Sequence, residues 1–184
     1  TPVIVRLWPG SNLPPIPKDF KLEYDINISR NKDRAIECVR LMKRAIKLQR
    51  LPGLVVYRFH EHGELLLKVF KKRIKNQRIE LVHGDTKNRK ELLKDFREGK
   101  IDILISSFIV KRGKNFPMIK YILNASATDS NETISQIMGR GERTHDSKKK
   151  YYLDDFIDKG GYIGRHSKHR IRYYKAEGFK VIIK

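Results

Sequence analysis

"IELVHGDTKNRKELLKDFREGKIDILIS" spans residues 79–106 and changes its hydrophobic pattern twice. Its ends, residues 79–83 and 101–106, are short runs rich in Ile, Leu and Val, which is typical of buried strands. Between them Leu92, Leu93 and Phe96 share one face of a helix that Gly99 ends. Two strands joined by a helix and short turns predict a βαβ unit with parallel strands.

The same alternation continues on both sides of this unit. Further strands are predicted at residues 1–8, 54–59, 119–124 and 150–158, helices at 31–50 and 63–74, a helical start at 132–143, and an edge strand at 21–29. The pattern predicts an α/β fold in which helices flank a mostly parallel sheet. We expect this lobe over residues 30–158, after a lead-in strand and Pro-rich connector at 1–29 and before a basic, tyrosine-containing extension at 159–184.

The charge of the chain predicts a polyanionic partner. The 41 Lys and Arg residues against 21 Asp and Glu residues give a net charge of +20. Nucleic acid suits such a charge better than a membrane surface, because neutralising phosphates releases counterions. No segment has the length of a membrane span or the pattern of a signal peptide, so we expect no membrane association.

Cysteine usage and the first residue give two further expectations. The single Cys38 cannot form an internal disulfide, and its place on an apolar helix face predicts buried filler in a reducing, cytoplasmic setting. The chain opens at Thr1 rather than at Met, so we expect a fragment or a processed product.

Residues 135–150 read SQIMGRGERTHDSKKK and contain a Q-x-x-G-R-x-x-R pattern, formed by Gln136, Gly139, Arg140 and Arg143. Arginines three residues apart on a helix lie on one face and can reach the same anion. A solvated basic turn is the alternative explanation. Ligands of parallel sheets gather beyond the carboxyl ends of the strands, where this segment and those following residues 83 and 106 are expected.

Four segments in a fixed order carry a family resemblance. They are VVYRFHEHGELL, ELVHGDTKNRKELLKDFREGKIDILISS, SFIVKRGKNFPMIKYILNAS and SQIMGRGERTH. Together they resemble motifs IV, IVa, V and VI of the second RecA-like lobe of superfamily 2 helicases, over about residues 31–158. The chain is most similar to bacteriophage DNA repair and recombination helicases of the UvsW type, which have a similar RNK helix start, HG turn and RI-YY tail; these would act in the host cytoplasm.

The resemblance implies a RecA-like fold and a role for each matching residue. Arg140 and Arg143 match the motif VI arginines that reach ATP on the partner lobe, and Gln136 matches the glutamine near its γ-phosphate. Gly113, Asn115 and Gly139 are the implied ATP-binding positions. The predicted nucleic-acid-binding residues are Arg58, His60, His83, Gly84, Ser107 and Lys111, with Arg170, Arg172 and Tyr173 in the tail.

Two features depart from a complete motor. Lys114 stands where motif V has an apolar residue, and Asn115 replaces the commoner acidic or hydroxyl residue. The sequence also has no G-x-x-x-x-G-K-[ST] phosphate loop and no acidic Walker B segment. We therefore expect ATP and Mg²⁺ to be bound mainly by a missing N-terminal lobe, and this chain to be inactive as an ATPase alone.

Three other groups have competing explanations. His60 and His62 would share one side of a strand, but nothing supplies a convincing third metal ligand, so we expect no metal site. Asp154 and Asp155 suit an exposed strand end better than a catalytic pair. The basic tail suits either a helix packed on the lobe or a surface that binds phosphates and stacks on bases.

The sequence thus predicts the second motor lobe of an ATP-dependent DNA helicase acting on branched DNA in replication, recombination or repair. The alternatives are a non-catalytic basic nucleic-acid-binding module on the same scaffold and an RNA helicase lobe. The module is slightly favoured by Lys114 and Asn115, whereas motifs that track the backbone barely distinguish DNA from RNA.

Overall fold

The computed structural model describes residues 3–10, 19–107, 118–129 and 151–184. Within these ranges the strands are β1 (Val3–Pro9), β2 (Gly53–Tyr57), β3 (Ile79–Val82), β4 (Ile103–Ser107), β5 (Tyr121–Asn124), β6 (Tyr151–Ile157) and β7 (Lys180–Ile183). They form one seven-stranded sheet in the order β3-β4-β2-β5-β6-β1-β7. All paired strands are parallel, so the predicted α/β class is confirmed.

Helices connect the strands and cover the sheet. In the described ranges they are α1 (Phe20–Tyr24), a π-helix (Asp25–Ser29), α2 (Lys32–Lys47), α3 (His60–Arg73), α4 (Arg89–Arg97) and α5 (Gly161–Ala176). Asn31 caps α2 because its side-chain oxygen accepts the Arg34 N–H at 2.9 Å. None of the helices in this part of the chain combines the length and the apolar character that a membrane span needs.

The sheet has two hydrophobic faces. On one face Leu41 and Met42 of α2 and Leu66 of α3 are fully buried, together with Cys38. On the other face Phe96 of α4 packs in a second cluster that also includes Tyr174 of α5. The near-continuous apolar strands follow from this burial on both sides.

The predicted edge strand at residues 21–29 is wrong. This stretch forms α1 and the π-helix, with Asp19 accepting the Leu22 N–H at 2.9 Å as the helix cap. Tyr24 and Ile28 lie one turn apart and are both buried beside Ala127 and Ile163. The four-residue spacing of these two side chains, rather than a two-residue alternation, determines the local structure.

Both ends of the chain join the same sheet. β1 pairs with β6 on one side and with β7 on the other. β6 was predicted as the last strand, but β7 follows it. Residues 180–183 were missed because their three apolar residues, after a lysine and a basic helix, have little periodicity of their own.

Candidate nucleic-acid interface

The carboxyl ends of β3, β4 and β2 lie side by side. Val82 pairs with Ser106, and Tyr57 pairs with Ser107, so the three strands end at one edge of the sheet. Residues that end or follow these strands therefore share this edge. The structure brings the predicted residues there, namely Arg58, His60, His83, Gly84 and Ser107.

His60 and His83 contact each other across this edge. Their ring centroids are 4.5 Å apart and the ring planes are nearly perpendicular, at 87°. His60 is the first residue of α3 and follows β2 closely, whereas His83 directly follows β3. The His60 side chain is 57% exposed and His83 is half-buried, so both rings remain accessible.

A tight turn follows His83. The backbone N–H of His83 donates to Thr86 Oγ1 at 3.0 Å, and the Asp85 N–H donates to His83 Nδ1 at 3.3 Å. Gly84 is exposed in this turn. The predicted approach of its backbone to a phosphate remains a prediction.

Ser107 contributes little surface of its own. It is 7% exposed at the last position of β4, next to the buried Tyr57 ring. The Tyr57 hydroxyl donates to the Val82 carbonyl at 3.4 Å, and burial raises the pKa of Tyr57 to about 12.

Arg58 lies among aromatic rings that the sequence did not predict at this edge. Its guanidinium carbon is 5.1 Å from the Phe59 ring centroid, 5.5 Å from that of Phe20 and 5.8 Å from that of Tyr24. Such distances allow cation–π attraction. Tyr24 was missed because residues 21–29 were predicted as a strand and Phe20 was placed in the connector before it, although the spacing of Phe20, Tyr24 and Ile28 is helical.

A groove of about 570 Å³ borders these rings. Tyr24, Phe59 and His60 line it, as do the charged residues Asp25 and Arg30. Phe59 is 42% exposed there. Arg30 pairs there with Asp25 at 3.1 Å and with Glu61 at 3.7 Å, so the groove offers an exposed ring suited to stacking on a base but little free positive charge.

The expectation that His60 and His62 share one side of a strand is wrong, because both belong to α3. His62 is 1% exposed and packs edge-on to Tyr57, with ring centroids 6.4 Å apart. Burial, aided by the charge of Arg34, lowers the pKa of His62 to about 3. His62 is therefore a neutral core residue.

The prediction that Arg170 binds nucleic acid is also wrong. Arg170 is fully buried, and its Nε donates to Asp155 at 2.8 Å while Nη1 donates to the Thr128 carbonyl at 2.9 Å. Arg172, two residues later on α5, is exposed. Tyr173 is half-buried and packs against the hydrophobic cluster on that face.

Asp154 and Asp155 do not form an exposed strand end as predicted. They are 0% and 1% exposed, respectively. With Asp158 they supply three buried ion pairs around β6. The pairs are Arg6 with Asp154 at 2.5 Å, Arg170 with Asp155 at 2.8 Å, and Arg34 with Asp158 at 2.5 Å. These carboxylates are neutralised by arginines of the fold itself, which argues against catalytic work.

Seven predicted site residues lie outside the described ranges: Lys111, Gly113, Asn115, Gln136, Gly139, Arg140 and Arg143. They fall within residues 108–117 and 130–150, between the described ranges. Their predicted roles therefore stay predictions.

Relatives of known sequence match parts of this chain. IRC3 of Saccharomyces cerevisiae is 34% identical over 98 residues, which are 52% of this chain and 14% of IRC3. The ATP-dependent RNA helicase RhlB of Actinobacillus succinogenes is 34% identical over 73 residues, 39% of this chain and 18% of RhlB. The matched segments thus span less than a fifth of either relative.

Solved structures share the fold over nearly the whole chain. T4 UvsW has a TM-score of 0.71 at 21% identity, over 99% of this chain and 40% of its own. The C-terminal domain of the DEAD-box protein Dbp5 has a TM-score of 0.68 at 16% identity, over 98% of this chain and 89% of its own. Identities this low establish the fold alone.

A family model extends over more than half of the chain. The model described as the helicase conserved C-terminal domain matches residues 33–145, which include the segments that resemble motifs IV to VI. The fold agrees with that match, since helicase C-terminal lobes share the parallel sheet described above. The chain therefore belongs to the helicase conserved C-terminal domain family and is the C-terminal RecA-like lobe of a superfamily 2 helicase.

Proposed function

We propose that this chain is the second motor lobe of an ATP-dependent DNA helicase that acts on branched DNA in replication, recombination or repair. The observation that carries the proposal is the family match across residues 33–145, in a chain with a net charge of +20. The likeness to T4 UvsW covers 99% of this chain, including the tail, and supports the fold that such a motor lobe needs.

ATP and Mg²⁺ would bind in a cleft between this lobe and an N-terminal RecA-like lobe. Arg140 and Arg143 would stabilise the charge that develops on the γ-phosphate, and Gln136 would orient the attacking water. Gly113, Asn115 and Gly139 would contact the nucleotide. Arginine suits this task because its planar fork donates in two directions and stays protonated.

The nucleic-acid strand would follow the carboxyl edge of the sheet. His60, His83 and the Gly84 turn lie there, and Arg58 sits beside the exposed Phe59 ring. Lys111 would contribute from the segment after β4. Exposed Arg172 could add a phosphate contact from α5, with Tyr173 beside it.

Closure of the cleft would couple the two ligands. ATP that binds both lobes favours the closed arrangement, and hydrolysis removes that preference. Each cycle would change the grip of the carboxyl edge on one strand and move the protein along it.

An RNA helicase lobe is the second candidate. The relative RhlB is named as an ATP-dependent RNA helicase and is 34% identical over its matched segment. Contacts to a phosphate backbone serve either nucleic acid, so this edge does not favour DNA by itself.

The decisive experiment is ATP hydrolysis by a protein in which this chain is joined to its N-terminal lobe, with and without Arg140→Ala. We expect hydrolysis stimulated by forked DNA, and a loss of about 10³-fold or more in the variant, which is the usual effect of an arginine finger. Arg73→Ala, at the exposed end of α3, is the matched control and should hydrolyse ATP normally.

Each alternative has its own outcome. Hydrolysis that survives Arg140→Ala would contradict the role of the arginine. Stronger stimulation by RNA than by DNA of the same sequence would favour the RNA helicase. A protein that hydrolyses no ATP but still binds DNA tightly at low salt would favour the non-catalytic module.

A further inference from the structure

Three potential metal ligands meet at the carboxyl edge. His60 and Glu64 are one turn apart on α3, with His60 Nε2 3.7 Å from Glu64 Oε1. His83 approaches from the end of β3, and one donor atom from each side chain lies within 4.8 Å of the others. The expectation of no metal site assumed that no third ligand existed. Glu64 is that ligand, four residues after His60 on a helix rather than a strand.

The chemistry of these donors selects a metal class. Two imidazoles and one carboxylate bind Zn²⁺ well, whereas Mg²⁺ prefers oxygen ligands alone. Three protein ligands of this kind leave a fourth tetrahedral position for water or another oxygen ligand. The cluster is therefore suited to an open zinc site.

The geometry needs only a small adjustment. In a tetrahedral site with zinc bonds near 2.0–2.1 Å, neighbouring ligand atoms are roughly 3.3 Å apart. The side chains of His60 and Glu64 are 57% and 51% exposed, so packing by the described residues does not prevent them from closing on an ion. Their Cα atoms are already fixed by α3.

The hydrogen bonding of His83 is compatible with metal binding. The Asp85 N–H donates to Nδ1 at 3.3 Å, which is longer than an ordinary hydrogen bond of this type. Coordination through Nε2 would move the ring proton to Nδ1 and break this contact. Because the contact is long, little stabilisation is lost when it breaks.

A second histidine group provides an internal comparison. Asp129 lies 3.4 Å from His166 Nε2 and 3.7 Å from His169 Nδ1. Among the described residues, however, only the cluster of His60, Glu64 and His83 has its donor atoms all within 4.8 Å of one another. The two groups can therefore be distinguished by mutation.

We propose that His60, Glu64 and His83 form a binding site for Zn²⁺ or a chemically similar divalent metal, with one coordination position open at the carboxyl edge. The proposal stands on the cluster alone and does not depend on the helicase motor. An oxygen ligand on the metal would lie where a nucleic-acid phosphate is expected.

The test is calorimetric titration of the chain with Zn²⁺, together with the visible absorption of bound Co²⁺. We expect one metal per chain and the intense absorption of tetrahedral Co²⁺. Glu64→Gln and His83→Ala should each weaken binding by more than about tenfold, since even outer-shell changes have effects of that size. His169→Ala should bind like the parent.

Glu64→Gln keeps the shape of an exposed side chain, so it tests the site even if His83→Ala fails to fold, which circular dichroism would show. Absence of metal binding at one equivalent would overturn the proposal. So would binding that Glu64→Gln leaves unchanged, or binding that His169→Ala abolishes.

Discussion

At the scale of single residues, buried carboxylates around β6 hold α5 and the chain after β5 against the sheet. Asp155 accepts from Arg170 Nε at 2.8 Å, from the Tyr174 hydroxyl at 2.6 Å and from Asn124 Nδ2 at 3.3 Å. A buried charge needs such partners, because its desolvation costs several kcal/mol. Arg170 also donates to the carbonyl of Thr128, so one guanidinium joins α5, β6 and the chain after β5.

Arg170→Ala should destabilise the lobe strongly. It leaves Asp155 buried without its cation, and breaking a buried pair in this way costs about 3–5 kcal/mol. Urea denaturation followed by circular dichroism measures the free energy of unfolding. The matched control is Arg172→Ala, an exposed arginine on the same helix, which should change stability by less than about 0.5 kcal/mol. Equal stability of the two variants would contradict the structural role of Arg170.

At the scale of elements, α3 packs unusually closely on β2. A Cβ atom placed on Gly63 would lie 2.5 Å from Tyr57 Cζ, so the helix can approach this ring only where a side chain is absent. The neighbouring His62 is 1% exposed, because the same close approach of α3 to β2 buries its side chain. The packing of α3 on β2 therefore depends on a histidine that stays neutral.

This packing predicts a pH effect. Burial lowers the pKa of folded His62 to about 3, from an ordinary value of 6.5. Below pH 6.5 the unfolded chain takes up a proton that the folded chain does not, so stability falls as the pH falls from 6.5 towards 3. The loss for this group is about 1.4 kcal/mol per pH unit well below 6.5.

The measurement is the free energy of unfolding of the parent and of His62→Phe, from pH 7 to about pH 5. Carboxylates titrate in both proteins, so the difference between them isolates His62. We expect the stability of the parent to fall faster than that of the variant. As a control, His169→Ala removes a half-exposed histidine and should follow the parent. Parallel curves for parent and His62→Phe would refute the buried neutral imidazole.

At the scale of the whole molecule, charge is the dominant property. Some of the 41 basic side chains are neutralised in the core, since Arg6, Arg34 and Arg170 pair there with aspartates. The basic residues that end α3 are exposed, by contrast, among them Lys71, Lys72 and Arg73. The net charge of +20 is therefore presented mainly at the surface.

Nucleic-acid binding by this chain should depend steeply on salt. If 6–10 phosphates are neutralised, the affinity for duplex DNA falls by about 10³-fold or more between 50 and 200 mM salt. Fluorescence anisotropy with a labelled duplex at several salt concentrations measures the slope. A single strand with the same number of contacts should give a shallower slope, because it carries fewer condensed counterions. An affinity that does not change with salt would contradict a binding mode based on phosphate contacts.

The sequence alone was sufficient for the class of fold, the order of most elements and the family. Those features depend on local periodicity and on motifs in a fixed order, and both can be recognised in the sequence without a structure. Residues 79–106 form the predicted strand, helix and strand. The placement of His83 at the carboxyl edge also followed, because parallel strands bring their carboxyl ends together.

Only the tertiary structure decided which charges are buried and which side chains meet. Arg6 and Asp154 are 148 residues apart in the chain, and no local sequence pattern predicts that they form an ion pair. Arg170 looked like a surface cation because its neighbours in sequence are basic, yet its partner Asp155 comes from a strand. Glu64 lies beside His60 and His83 because residues 60–73 form a helix, which places residues 60 and 64 one turn apart. Burial and donor geometry arise from contacts between distant segments, so they appear only when the chain is folded.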